Sequence, residues 1–541
     1  MHRTIHLSVP VFAAFIGLAS AACAQEAPAT PKHHATLLRD DKSDRTFIGL
    51  KGCYSCHTSG FPKSDVAEQF GILADDNWIL ANEVETWGKK GDKHAQAYTS
   101  LLSETGVKIG NAMGIQGAVS CDKRCLACHT GFPIAEMETV QGLMIDEVTS
   151  QKDGSITAGV SCEGCHGPAG GTQGWLSAHT SKDTWRFITP EEKSQKGFYD
   201  VRSVISRTRL CLSCHLGNAE QGRVLTHEMY AAGHPPLPAF EIETFEQQMP
   251  KHWTPRNEKS PELQKEFLKQ TGIRTNPDEL NATKSMLIAA LISRSESLRL
   301  TANLAEGIVS DQIPKPKWPD FAQFDCYACH HDLKSESWRK TAQHAGSPGR
   351  PRLVPWPESL SRLAALQAHS GADEVQREYS VVQSATLVSP FGDREVLIEA
   401  ARMSADWSDK LAVKLDSQVM TTTEGAALLK SIVETAATDT LDYDSARQLL
   451  WAVTIVETEL KVPHEHRANL DAVSKTIVLD LQKGRATKHQ IPGVEAKREV
   501  QEVNLSETLP RIAAYDALAF QRAFAALRDR AETPAPFAIP K

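Results

Sequence analysis

Aromatic residues make up only 6% of this chain, so a core dominated by large flat side chains is not available to it. After residue 24 no stretch holds the roughly 18 uncharged apolar residues that a membrane helix requires, and the apolar run before it is too short to span a bilayer. There is no basic excess: 59 Lys and Arg against 67 Asp and Glu give a net charge of −8, which argues against a nucleic-acid partner. Twelve cysteines in 541 residues are too few for a disulfide scaffold. What is present is ordinary globular composition, 41% hydrophobic and 23% charged, over a length that suits two or three domains. Ala and Leu crowd the final third, which favours helix.

Residues 1–24 read as an export signal. Arg3 supplies the positive start, Val11 to Ala22 a short apolar core, and Ala22-Cys23-Ala24 a small-x-small cleavage site. Loss of Arg3 makes the mature chain −9. A competing reading places a lipid anchor on Cys23, although Ser20 stands where such signals usually carry Leu. The expected location is the periplasm, with no transmembrane segment.

The spacing of the cysteines is the strongest signal. Ten fall into five Cys-x-x-Cys-His units: Cys53/Cys56/His57, Cys125/Cys128/His129, Cys162/Cys165/His166, Cys211/Cys214/His215 and Cys326/Cys329/His330. Chance would give about 0.01 such pentapeptides in a chain of this composition. Two thiols three residues apart can add to the two vinyl groups of one haem, and the following imidazole reaches the iron. Zinc ribbons and redox disulfides also use Cys-x-x-Cys, but neither needs a His after every second Cys. Five covalent c-type haems are therefore expected, with His57, His129, His166, His215 and His330 as proximal ligands. Export agrees with this, because attachment takes place outside the cytoplasm.

Seven further histidines lie between Cys53 and Arg350: His94, His179, His227, His234, His252, His331 and His344. The order of preference for distal ligands is His94, His234, His179, His227, then His344. His94 sits in a helical stretch. His179 follows the flexible Gly167-Pro168-Ala169-Gly170-Gly171 loop. His227 and His234 are seven residues apart, two turns along one helix face, and could serve neighbouring haems. His331 cannot bind the iron beside it. Met229 and Met249 are weaker candidates that read more simply as packing. Cys121, left over, reads as a small buried hydrophobe, with a thiolate or redox-sensitive role as the sharper alternative.

With these residues in hand, the chain resembles the cytochrome c-554 family of multihaem cytochromes over residues 46–350. The resemblance rests on Gly159 to Pro168 with downstream His179, on Trp87 with His94-Ala95…Ala97-Tyr98, and on His227…Gly233-His234-Pro235. It implies a mainly helical scaffold with haems in close stacked pairs, mostly bis-His; some relatives keep one iron open. The chain departs from the family's four-haem pattern by having five motifs, with 115 residues between His215 and His330. It has no Cys-x-x-Cys-Lys, which puts nitrite-to-ammonia reduction in doubt.

The expected organisation is a tether over 25–45, an irregular helical pentahaem domain over 46–350 and a cysteine-free helical bundle over 358–541. Motif gaps of 72, 37, 49 and 115 residues exclude a regular array. Residues 261–313 read as inserted helices, and the Gly346 to Pro357 seam as a boundary. In the last segment Leu449, Val453, Val456 and Leu460 share a helix face. Thr421 with Glu424, and Ser445 with Gln448, resemble capping boxes, and Gly484 reads as a stop. Five or six helices are expected there, forming either a docking module or a cap over the haems. His369, His464, His466 and His489 read as ordinary surface or core residues. The functional expectation is an electron relay between redox partner proteins. The alternative is an oxidoreductase with one open iron acting on a small nitrogen or sulfur compound, with Glu228 or a histidine moving protons.

Overall fold

The computed structural model describes residues 45–58, 80–115, 119–132, 159–180, 188–253, 278–330, 350–462, 485–489, 498–502 and 514–531. One or two residues are excepted within some of these runs, Ser55 beside Cys56 among them, and isolated residues are described between them. Residues 1–44, where an export signal and a tether are expected, Cys121, His331 and His344 lie outside the described residues, as does Gly484.

The fold is mainly α, with 18 α-helices among the described residues. Those that carry the motifs are short: α1 (Gly49–Tyr54), α2 (Glu83–Lys89), α3 (Ala97–Ser100), α4 (Glu104–Ala112), α5 (Lys123–His129), α6 (Cys162–His166), α7 (Leu176–His179), α8 (Pro190–Gln195), α9 (Val204–His215), α10 (His227–Ala231) and α11 (Ile242–Gln247). Helices of this length are marginal in isolation. Side-chain caps support them: Ser103, Asp122, Thr189, Ser203, Thr226 and Glu241 each accept a backbone N–H from the first turn that follows.

The long helix α12 (Asn281–Glu306) runs between this region and six later helices: α13 (Trp356–Gln367), α14 (Ala372–Leu387), α15 (Arg394–Asp416), α16 (Thr422–Thr438), α17 (Tyr443–Glu459) and α18 (Ala517–Ala531). Helix α12 is buried on several sides: Met286 to Ile292 form an unbroken apolar run, and the polar Ser293, Arg294 and Ser295 that follow are buried as well. No residue next to it in sequence caps its N-terminus. Instead the Glu459 carboxylate at the end of α17 accepts the N–H groups of Ala282 and Thr283 at 2.9 and 2.7 Å. Gly307, left-handed at φ +82°, ends it.

One apolar cluster runs from Leu212, Phe240 and Ile242 through Met286–Ile292 to Leu363, Leu429, Leu449 and Phe520. It is thus continuous across the Pro/Gly seam. Ion pairs reinforce the same junction. On α9, Arg209 meets Glu296 of α12 at 3.0 Å and Asp409 of α15 at 2.6 Å, and Arg299 bridges the same two acids. Leu291→Ala should therefore cost about 2–5 kcal/mol through the cavity it leaves. A denaturation midpoint within error of the parent protein would show that the junction can collapse around the hole.

Three local details refine or depart from the sequence reading. Thr421 and Glu424 do form a capping box, but α17 is capped by Asp442, so Ser445 lies inside the first turn and donates its hydroxyl to that carboxylate. Leu460 is the C-cap of α17, half-buried, and it packs against the same cluster as Leu449, Val453 and Val456. The last segment also includes an antiparallel ribbon of β1 (Arg485–His489) and β2 (Arg498–Glu502), with Thr487 opposite Val500. Its polar, β-branched alternation carries no helical period.

Candidate functional site

Each motif forms a tight turn that puts two thiols and an imidazole on one side. His57 N donates to Cys53 O at 3.0 Å, and His330 N to Cys326 O at 2.8 Å, both i to i+4. None of the ten motif cysteines is in a disulfide.

The first motif is built differently from the second, third and fourth. In the second, third and fourth motifs both cysteines lie within one helix, α5, α6 or α9. In the first, Cys53 is on α1 but the helix ends at Tyr54, so Cys56 falls in the turn beyond it. The turn stays tight because Cys56 N donates to Cys53 O at 3.2 Å, an i to i+3 bond of the 3-10 type. Cys56 is half-buried there, and covalent attachment through it is an expectation carried by the spacing alone.

Tertiary contacts then bring motifs together. Glu163, inside the third motif and 2% exposed, accepts the N–H groups of Ile48, Gly49 and Ala169. This anchors the start of α1 against α6 and sets the Cys53 and Cys162 thiols in hydrogen-bonding reach of each other. Arg223, also buried, donates to Ala127 O of the second motif at 2.8 Å and to Ser213 Oγ of the fourth. There the Cys128 and Cys214 thiols meet. A Cβ on Gly164 would stand 2.8 Å from Gly131 Cα, so only glycine lets the second and third motifs pass this closely.

Four proximal histidines face a second imidazole. Ring centroids are 6.0 Å apart for His57 and His179, 6.1 Å for His215 and His94, 6.5 Å for His129 and His234, and 6.2 Å for His330 and His227. Two metal–imidazole bonds of about 2 Å in line, plus half a ring on each side, span roughly 6 Å. The pairs therefore fit an iron between them. Among the described residues no cluster of three or more His, Cys, Asp or Glu is arranged to hold a metal ion directly.

In four of these rings Nδ1 is held by a partner, whereas His179 Nδ1 is buried without one. His57 Nδ1 donates to Glu83 at 3.2 Å and His94 Nδ1 to Asp92 at 3.0 Å. His129 Nδ1 donates to Ala97 O at 2.6 Å and His234 Nδ1 to Pro235 O at 2.8 Å. Such partners fix the tautomer that leaves Nε2 free for a metal. Burial is the main force that drives His215 down to about 3, and His179 and His234 to about 4; all three rings stay neutral, the form that ligates. Burial acts the same way on His57 and His94, but the carboxylates of Glu83 and Asp92 outweigh it and raise both.

His227 and His234 are not on one helix face. Helix α10 ends at Ala231, and Gly233 at φ +107° turns the chain, with His234 N returning to Met229 O at 3.0 Å. This end motif points the two rings at different proximal partners. Met229 is buried and Met249 half-buried. Glu228 is exposed, within electrostatic reach of Arg124 beside the second motif.

His166 stands apart from the other four. Its ring contacts Phe198 at 5.4 Å and no imidazole among the described residues, and its Nδ1 is buried there without a hydrogen-bond partner. His252, one of the seven further histidines but outside the order of preference, lies within electrostatic reach of it. Asp92 as cap and partner of His94 was within reach of sequence reasoning, since an Asp two residues before a helical His is an N-cap pattern. Glu83 was not: it lies 26 residues from His57, and only the fold brings them together.

A helical scaffold presenting Cys-x-x-Cys-His turns against facing imidazoles is that of a c-type cytochrome with covalently bound haem. Residues 81–167, which include His94 and the second and third motifs, match the family model described as cytochrome c554 and c-prime. The chain is a c-type cytochrome resembling that family, and electron transfer with redox partners is its class of function. No curated protein and no solved structure matches it. Among the described residues no helix is long and apolar enough to cross a membrane.

Proposed function

We propose that the protein is an exported relay carrying electrons between redox partner proteins through five covalent haems. The observation that carries this is the set of four imidazole pairs at 6.0–6.5 Å, each with a proximal histidine of a complete motif. Haem supplies the one-electron chemistry when bound; the chain's own residues ligate, bury and space it. In this reading Cys53/Cys56, Cys125/Cys128, Cys162/Cys165, Cys211/Cys214 and Cys326/Cys329 hold the five groups. His179, His234, His94 and His227 are the distal ligands for the first, second, fourth and fifth. Saturated bis-His irons offer no coordination site to a substrate, which suits transfer rather than turnover. Export to the periplasm follows from residues 1–24.

A second reading, an oxidoreductase with one open iron, is favoured by one observation: His166 faces no second imidazole in ring contact among the described residues. That reading leaves the third iron open, whereas the relay reading requires a further ligand there, for which His252 is the candidate within electrostatic reach of His166. The test is direct. Intact mass after denaturation and acid–acetone extraction should show five haems, and an electron paramagnetic resonance spectrum of the oxidised protein should show only low-spin iron. Four haems or fewer would overturn the relay as drawn. A high-spin fifth of the iron that binds nitric oxide and turns over hydroxylamine would replace it with the enzyme.

A further inference from the structure

The four facing pairs differ in the angle between their rings. The planes of His129 and His234 cross at 83°, and those of His215 and His94 at 85°. Those of His57 and His179 lie at 14° and those of His330 and His227 at 28°, close to parallel. Parallel imidazoles split the two iron d orbitals that share the ferric hole, which stabilises ferric iron. Crossed imidazoles leave the two orbitals alike, so the ferric state loses that gain and the potential is higher. Ring angle therefore favours the second and fourth sites over the first and fifth.

Hydrogen bonding separates the second site from the fourth. A carboxylate that takes the Nδ1 proton makes an imidazole a stronger donor to ferric iron. Glu83 does this for His57 in the first site, and Asp92 for His94 in the fourth. In the second site the partners are neutral: Ala97 O for His129, with Ser100 Oγ 3.0 Å away, and Pro235 O for His234.

Charge acts in the same direction. Arg223 is buried, donates to Ala127 O at 2.8 Å beside Cys128 and to Ser213 Oγ beside Cys214, and pairs with no carboxylate among the described residues. Asp122, the acid that caps the second motif's helix, is matched by Arg124 in a two-pronged contact at 2.9 and 2.8 Å. A buried cation is little screened and favours ferrous iron, which carries one positive charge fewer. The fifth motif is the opposite case. Cys326, Cys329 and His330 are exposed and Asp325 stands next to them in the chain, so water and a carboxylate both favour the ferric form.

We infer that the second haem has the highest potential of the four paired sites and takes the relay's first electron, with Arg223 as the residue whose charge keeps it there. This rests on the relay reading and its ligand pairs. The step moves one electron from the donor protein to ferric iron, which becomes ferrous; no bond or proton changes.

The experiment uses holoprotein whose five haems have been verified by mass. It is titrated with dithionite and mediators and followed by low-temperature electron paramagnetic resonance. Crossed-ring haems give a single large-g feature and near-parallel ones a rhombic spectrum, so the two sets are read apart. The large-g feature that His234→Ala removes belongs to the second haem, and in the parent protein it should vanish before any other signal of the paired haems. Arg223→Gln should shift that haem's ferrous-to-ferric ratio at fixed potential about tenfold toward ferric, roughly 59 mV for one electron, and leave the rhombic signals in place. Arg223→Lys should keep the parent order and ratio. Earlier loss of the rhombic signals in the parent would overturn the inference, whether or not either Arg223 variant folds. So would an equal shift in both variants, which would mark the side chain as a brace rather than a charge. Five haems without any large-g feature would remove the ligand pairs themselves, and the relay as drawn would fall together with this inference.

Discussion

His234→Ala should convert about a fifth of the iron from low spin to high spin and raise the potential of one haem, leaving the other four unchanged. The His234 ring is fixed from both sides. The turn at Gly233 sets its backbone, and the Pro235 carbonyl takes the Nδ1 proton at 2.8 Å. A ligand held this way is pre-organised, and no other imidazole among the described residues is in ring contact with His129 to replace it. Losing one strong imidazole donor makes the ferrous state relatively more favourable, so the potential moves upward. Electron paramagnetic resonance with a redox titration reads both effects. His94→Ala should act alike on the His215 haem. A fully low-spin spectrum and unmoved midpoints in both variants would show that the facing imidazoles are not ligands.

The second large effect concerns the helices beyond residue 350. A fragment of residues 278–541 should unfold cooperatively without haem, whereas 358–541 should be helical but lack a sharp transition. Helix α12 supplies Met286 to Ile292 to the shared cluster, and its backbone N–H groups satisfy Glu459. Removing it would expose that apolar face and leave Arg294-binding groups, including Ser408 Oγ at 2.7 Å, without their partner. Circular dichroism during urea unfolding distinguishes the two fragments. A sharp, two-state transition in 358–541 would mean that this segment is an independent domain and that α12 merely rests on it.

Much of the chemistry was legible in the residues because it is local. A Cys-x-x-Cys-His turn needs no distant partner to place two thiols and an imidazole, so five pentapeptides defined five candidate attachment points. Where each helix stops relative to its motif was less legible: α1 ends before Cys56, while α9 runs through His215. Helical character followed from composition, period and capping residues such as Thr421. The terminal ribbon did not, because its short polar alternation carries little signal against the helical chain around it. The choice of partners was beyond the sequence. Which imidazole faces which depends on how α1, α5, α6, α9 and α10 pack, and that is decided by buried groups whose reach exceeds a hundred residues of chain. Glu163 binds Ile48 and Gly49, and Arg209 binds Asp409. The sequence by itself determined the candidate ligating atoms and their spacing, since turn geometry is short-range. Only the tertiary structure decided the facing pairs, the isolation of His166 and the exposure of the fifth motif, since burial and ring contact arise only after distant helices have packed.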